Sequence, residues 1–271
     1  MTIGEVLRLS TGYLERKGVE SPRLDAELLL AHALGLSRIE LYTQHDRPLG
    51  EPERDVARAL LERRGAREPL AYVLGSWGFR RLTLATDARA LVPRPETEVL
   101  VERCLALLAG VAEPRILDVG TGTGAIALAL ADELPGARVT ALDRSPDAIA
   151  LAREDGRESS VTFVEGDYRA GLPDGPYDLV VSNPPYVLPE EIDALEPEVR
   201  DWEPREALVS ADGPEAVARA ALGVLAPGGA LALEVGDAPR VAAALVELRY
   251  EEVRIEPDLS GRERIVEGRR P

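Results

Sequence analysis

The chain has 271 residues, enough for one large domain or two smaller ones, and its 45% apolar share is too high for a disordered chain. One cysteine, Cys104, and two histidines, His32 and His45, exclude an internal disulfide framework and argue against a Cys- or His-based metal centre. Net charge is −16, distributed as +1 over residues 1–92 and −17 over residues 93–271, so two units of different character are expected and non-specific binding of a phosphate backbone is disfavoured for the second.

Residues 1–5 show no basic start or apolar run, and no stretch approaches the ~20 apolar residues of a membrane span. A cytoplasmic protein without membrane contact is expected. In chain order, Ile3, Val6, Leu7 and Leu14 fall at helical spacing, and Gly18 ends the run. Ser21-Pro22 reads as a capped start for a second helix over the Leu24–Leu34 apolar positions, closed by Gly35. Ser37 and Glu40 fit a capping box, and a fourth helix is expected over 53–64 before Gly65. Residues 1–70 therefore read as a small helical bundle.

Over 71–92 the pattern changes. Trp77, Phe79, Leu82 and Leu84 are spaced by small or polar residues, with Gly75 and Gly78 as breaks, which predicts a hairpin-like connector. From Pro93 onward, strand-like runs over 115–119, 139–143, 161–165, 178–182 and 230–235 alternate with helical stretches that include 97–109, 124–133, 146–154 and 214–225. Such alternation predicts an α/β unit, a parallel sheet with helices on both faces. Cys104, on the apolar side of the helix over 97–109, is expected in the core.

The chemistry clusters at the strand ends. Asp118-Val119-Gly120-Thr121-Gly122-Thr123-Gly124 closes the first strand and enters a helix. Its glycines permit a tight turn and close approach of a ligand, and by themselves they also satisfy a dinucleotide fingerprint or a plain βα turn. Asp118 suits an amine or a helix-end amide better than a pyrophosphate, which a carboxylate repels. Asp143 ends the next strand, where an acid can grip both hydroxyls of a ribose, and Asp167-Tyr168 after the third offers a carboxylate and a flat face to an adenine. Asn183-Pro184-Pro185-Tyr186 follows the fourth strand abruptly, since proline cannot continue a ladder. The Asn183 side-chain oxygen and the Pro184 carbonyl form two acceptors beside the Tyr186 ring, a fit for a planar –NH₂ group.

These residues together resemble the S-adenosylmethionine-dependent methyltransferases of planar nitrogens. Pro93-Arg94-Pro95-Glu96-Thr97-Glu98, the helical front, Pro69-Leu70-Ala71-Tyr72-Val73-Leu74-Gly75, Glu203-Pro204-Arg205-Glu206-Ala207-Leu208 and Gly261-Arg262-Glu263-Arg264 are similar to the family that methylates glutamine N5 in peptide-chain release factors (HemK/PrmC family). The resemblance spans nearly the whole chain. It implies a Rossmann-like class I methyltransferase domain over 93–271, preceded by a helical substrate-docking domain over 1–70 and the connector over 71–92. It implies S-adenosyl-L-methionine as cofactor, held by Asp118, Gly120, Thr121, Gly122, Thr123, Gly124, Asp143, Asp167, Tyr168 and Asn183. It places the substrate amide on Asn183, Pro184, Pro185 and Tyr186, with Asn183, Pro184 and Tyr186 as the catalytic group. The implied partner is a release factor, with no metal and no direct DNA binding. Rival readings are a glutamine methyltransferase for a ribosomal protein, a methyltransferase of adenine in DNA or guanine in RNA, and, more remotely, a nicotinamide-dependent oxidoreductase. A base-flipping enzyme needs a basic groove and stacking surface, whereas only 11 residues are Phe, Trp or Tyr.

Overall fold

Thr2 opens α1 (Ile3–Arg16) through a reciprocal capping box with Glu5 in the computed structural model, which describes residues 1–271. Ser21 stands at the N-cap of α2 (Pro22–Leu34) but makes no side-chain cap bond, so Pro22 alone marks that start; Gly35 closes the helix at φ 62°. Ser37 and Glu40 form the expected box ahead of α3 (Arg38–Thr43). Helix α4 (Glu51–Gly65) begins two residues before the expected start because Glu53 reaches back to accept from the Gly50 N–H at 2.8 Å. A fifth helix, α5 (Leu70–Leu74), occupies the start of the expected connector and ends at Gly75.

Residues 1–75 and 196–202 form one compact unit, and residues 76–195 and 203–271 form the other. The first unit extends past residue 70 because α5 adds Val73 to a core shared with Leu14, Ala26 and Leu29. Its second cluster gathers Ile3, Leu30, Leu41 and Leu49. The excursion of residues 196–202 into this unit has an ionic cause. Arg67 makes a bidentate bond to Glu198 at 2.7 and 2.6 Å, and Arg64 bridges Glu198 and Asp25 at 2.7 Å each. Arg64 and Asp25 are both buried.

In the second unit, β1 (Ser76–Phe79) and β2 (Leu82–Ala85) pair antiparallel as the predicted hairpin. Then follow α6 (Pro95–Leu107), β3 (Arg115–Val119), α7 (Ala125–Glu133), β4 (Arg138–Asp143), α8 (Pro146–Asp155), β5 (Thr162–Glu165) and β6 (Tyr177–Ser182). After α9 (Pro197–Arg200), which belongs to the first unit, come α10 (Arg205–Leu208), α11 (Gly213–Ala221), β7 (Leu225–Glu234), α12 (Ala238–Glu247), β8 (Glu251–Pro257) and β9 (Glu263–Arg269). The seven-stranded sheet has the order β5-β4-β3-β6-β7-β9-β8. Strands β3 to β7 are parallel, and β9 and β8 close the far edge antiparallel. That edge pair was not expected from the sequence, where Val253 and Ile255 alternate with charged residues too briefly to stand out.

Alternation along the strands divides the core. Ile116, Leu179 and Val181 face Leu100, Cys104 and Leu130 of α6 and α7, while Leu117, Val119 and Val180 face Val217, Val241 and Leu245 of α11 and α12. Cys104 is fully buried as expected, and burial pushes its thiol up. The chain runs from β3 outward through β4 to β5, then returns to place β6 on the other side of β3. The connections after β3 and β6 thus leave in opposite directions, opening a crevice at the carboxyl ends of these strands. No helix is long and apolar enough to cross a membrane.

Candidate functional site

Parallel register sets the floor of the crevice, since Val119 of β3 lies beside Leu142 of β4 and Ser182 of β6. The next residues, Gly120, Asp143 and Asn183, therefore emerge together. Gly120, Gly122 and Gly124 adopt φ of +75°, +56° and +81°, a region side chains disfavour. Gly120 and Thr121 donate their N–H groups to the Leu142 carbonyl at 2.8 and 3.0 Å, which ties the loop to β4. Asp143 accepts from Gly122 N–H at one oxygen and Ser145 N–H at the other, both at 2.9 Å. Burial nevertheless raises its carboxyl above the usual range.

Gly120, Thr121, Gly122, Thr123, Asp143, Tyr168, Asn183 and Pro185 line one cavity of about 160 Å³. Of the other sequence candidates, Asp118, Gly124, Asp167, Pro184 and Tyr186 do not line it. Asp118 is fully buried in β3, where its Oδ2 accepts from the Thr121 hydroxyl at 2.6 Å and burial pushes its carboxyl up to about 7. It braces the loop from inside the sheet. Gly124 packs toward Ala152 and Leu128 at the start of α7. Asp167 turns back to accept from the Arg169 N–H at 2.9 Å, which leaves the ring of Tyr168 as the wall, backed by the Arg169 guanidinium 5.2 Å from its centre.

The charge of the cavity differs from that of the unit. Arg89, Arg94, Arg144 and Arg169 line it against Asp143 and Glu206, so the −17 of residues 93–271 lies elsewhere. Three of these arginines are held by acids of their own, Arg89 by Asp87 and Glu154, Arg94 by Glu203, and Arg169 by Asp212.

After β6, the Ser182 hydroxyl donates to the Val119 carbonyl at 2.5 Å and locks the strand end to β3. The Asn183 amide donates to Thr97 Oγ1 at 3.3 Å, and the Thr97 hydroxyl donates to Glu234 Oε2 at 2.7 Å. Burial raises the Glu234 carboxyl to about 7. Pro184 is buried. Tyr186 lies against Gly236, where an added Cβ would stand 3.0 Å from its ring, with the Arg264 guanidinium 5.8 Å from the ring centre. Burial pushes the Tyr186 phenol up to about 12, so it stays neutral.

Sequence reasoning missed Thr97 and Glu234 as members of this site. Thr97 stood in the Pro93–Glu98 motif, which was read only as a mark of family resemblance, and Glu234 was an acid within the apolar strand run over 230–235. That interruption was the available signal. Chemically, the crevice offers a carboxylate, a glycine cradle and an aromatic face on one side, and an amide-lined corner on the other.

Comparison with known proteins finds two matching family models. The model of the PrmC N-terminal domain matches residues 5–75, and the methyltransferase small domain model matches residues 95–195. A release factor glutamine methyltransferase from Deinococcus radiodurans is 46% identical over 280 residues, covering 100% of this chain and 99% of that one. Another from Geobacter sulfurreducens is 42% identical over 276 residues, covering 99% and 96%. Among solved structures, a Thermus thermophilus 16S rRNA methyltransferase in complex with AdoMet and guanosine superposes with a TM-score of 0.53 at 19% identity, covering 72% of this chain and 50% of that one, which is a likeness of fold.

Proposed function

This chain belongs to the release factor glutamine methyltransferase family, and on that premise we propose that it transfers the methyl group of S-adenosyl-L-methionine to the side-chain amide nitrogen of a glutamine in a peptide-chain release factor. The observation that carries the reading is the juxtaposition of the glycine cradle and Asp143 with Asn183 at the switch point of one sheet.

The residues present fit the cofactor. A Cβ added at Gly120 would meet no protein atom within 4 Å, so the bare backbone leaves room that a ligand can fill. Asp143 would take the ribose hydroxyls on its remaining lone pairs, Tyr168 would cover the adenine, and Gly120 to Thr123 would lie along the methionine part. When bound, the cofactor supplies a methyl on a positively charged sulfur, already a strong electrophile. The difficulty is the nucleophile, because an amide nitrogen shares its lone pair with its carbonyl.

Asn183 Oδ1 and the Pro184 carbonyl meet that difficulty by accepting the two N–H groups of the substrate. They hold the nitrogen and favour the positive charge that grows on it. Holding reacting atoms ~3–3.5 Å apart removes a further share of the barrier. Tyr186, neutral and fixed between Gly236 and Arg264, would pack against the amide plane. No protein base is required, since an N-methylated amide cation loses its proton readily to water.

Residues 1–70 are assigned the docking of the protein substrate. Ile39 and Tyr42 of α3 are 75% and 48% exposed and support that assignment. A substrate that acts in translation places the enzyme in the cytoplasm, and DNA is not a partner in this reading.

The test incubates the protein with methyl-labelled cofactor and a release factor, beside the same factor with its target glutamine replaced by glutamate. Label should enter only the glutamine form. Label on DNA or RNA, or on the glutamate form, overturns the assignment.

A further inference from the structure

An asparagine amide has two faces, and only one of them suits a substrate –NH₂. Asn183 must present oxygen to act as an acceptor. The side chain is half-buried, on the stretch that follows β6. The structure supplies what fixes it. Thr97 Oγ1 lies 3.3 Å from Asn183 Nδ2 and 2.7 Å from Glu234 Oε2. A threonine hydroxyl has one proton. With that proton on an ionised Glu234, Thr97 can only accept from Asn183. The amide must then turn its –NH₂ to Thr97, which leaves Oδ1 for the substrate. The opposite orientation sets two oxygens together with no proton between them.

We propose that Thr97 and Glu234 are positioning residues that hold the Asn183 amide oxygen-outward, and that this orientation lets the enzyme accept a glutamine and refuse a glutamate. The proposal rests on the reading of Asn183 as the acceptor for the substrate amide. Discrimination follows from the pairing: a glutamine presents N–H donors to Oδ1, whereas a glutamate presents oxygens that repel it. Thr97 and Glu234 are 5% and 3% exposed and come from α6 and β7, so the device is built between two rigid elements and sealed from water.

Its charge state gives the device a pH dependence. The groups facing Glu234 are Thr97 and Glu96 from α6, Asn183 and Tyr186 from the turn after β6, and Arg264 from β9. Burial raises the carboxyl to about 7, with Glu96 adding to the rise and Thr97, Arg264 and Asn183 opposing it. Once protonated, Glu234 can donate to Thr97 Oγ1, which frees the Thr97 proton for Asn183 Oδ1. The amide can then turn, presenting a donor to a donor. Substrate affinity should therefore fall as pH drops through neutrality and hold on the alkaline side.

The experiment measures calorimetric binding of a glutamine peptide from the release factor to the full chain saturated with the demethylated cofactor, from pH 5.5 to 8.5. For the wild type, affinity should drop roughly tenfold or more toward the acid end. Thr97→Val should lose a similar factor at pH 8 and also lower kcat, and Thr97→Ser should restore both. Glu234→Gln, whose amide oxygen still accepts the Thr97 proton and does not titrate, should lose the acid limb. A folded Thr97→Val with normal peptide affinity overturns the proposal, as does a Thr97→Ser that restores neither affinity nor kcat. Asn183→Ala separates the two levels: if it binds peptide and transfers methyl normally, the reading of Asn183 fails, whereas if it is impaired and Thr97→Val is not, only the positioning role fails.

Discussion

Gly122 donates its backbone N–H to Asp143 Oδ2 at 2.9 Å, so the glycine loop after β3 and the acid ending β4 form one hydrogen-bonded wall of the crevice. The bond helps to hold the loop in its left-handed turns. It also means that Asp143 has two duties, shaping the loop and gripping a hydroxyl-bearing ligand.

Asp143→Ala should weaken S-adenosylmethionine binding by more than ~1 kcal/mol, the loss expected for a charge-assisted hydrogen bond. Asp143→Asn should lose less, because one oxygen still serves Gly122 or Ser145. Calorimetry on the three proteins checks this ranking, and equal affinities would remove Asp143 from the cofactor site.

Asn183→Ala should leave cofactor affinity within about twofold while methyl transfer falls at least ~10²-fold, the usual cost of deleting a group that stabilises developing charge. Single-turnover rates at saturating cofactor separate the chemical step from binding.

Two glycines of one motif should fail in different ways. Gly124→Ala combines φ +81° with a Cβ only 3.1 Å from Ala152 Cβ and 3.2 Å from Leu128 Cδ1. A cost of ~1–2 kcal/mol for the backbone conformation plus ~1–3 kcal/mol for overpacking should appear as a lower urea midpoint. Gly120→Ala, with φ +75° and no neighbour within 4 Å, should cost only the first of these and instead impair cofactor binding. A common stability loss for both would contradict the packing assigned to Gly124.

Arg64→Met leaves Asp25 as a buried carboxylate without its cation, while the half-buried Glu198 keeps Arg67, a loss of about 3–5 kcal/mol for a broken buried pair. Burial already raises Asp25, whereas Glu198 is held low because hydrogen bonds from Arg67 and Arg64 outweigh its own burial. Removing Arg64 takes away the interactions that oppose burial at Asp25 and raises its carboxyl further in the folded protein, whereas Arg67 still holds Glu198. A carboxyl with a raised folded pKa loses stability as pH climbs above its unfolded value. The variant's deficit should therefore be large at pH 7 and shrink toward pH 4, as chemical denaturation at the two pH values would show.

Much of the site was legible because strand ends are local events. Gly120, Asp143, Tyr168 and Asn183 each stand where an apolar run breaks into turn residues, and in a parallel sheet such breaks share one edge. The place of Asp118 inside the sheet was not legible, for a related reason. Strand periodicity says that residues alternate between faces, not that a polar one on an inner face has Thr121 as its partner. Asp167 resembled a free acid until the structure showed it engaged with its own turn.

The order of motifs, the helical front and the crevice were determined by the sequence alone, since hydrophobic period and turn chemistry are written in neighbouring residues. Only the tertiary structure decided which distant groups meet. Thr97 and Glu234 lie 137 residues apart in the chain, and residues 196–202 join the first unit through Arg64 and Arg67. Packing brings such pairs to within 3 Å, and no periodicity along a chain encodes a distance between elements that far apart.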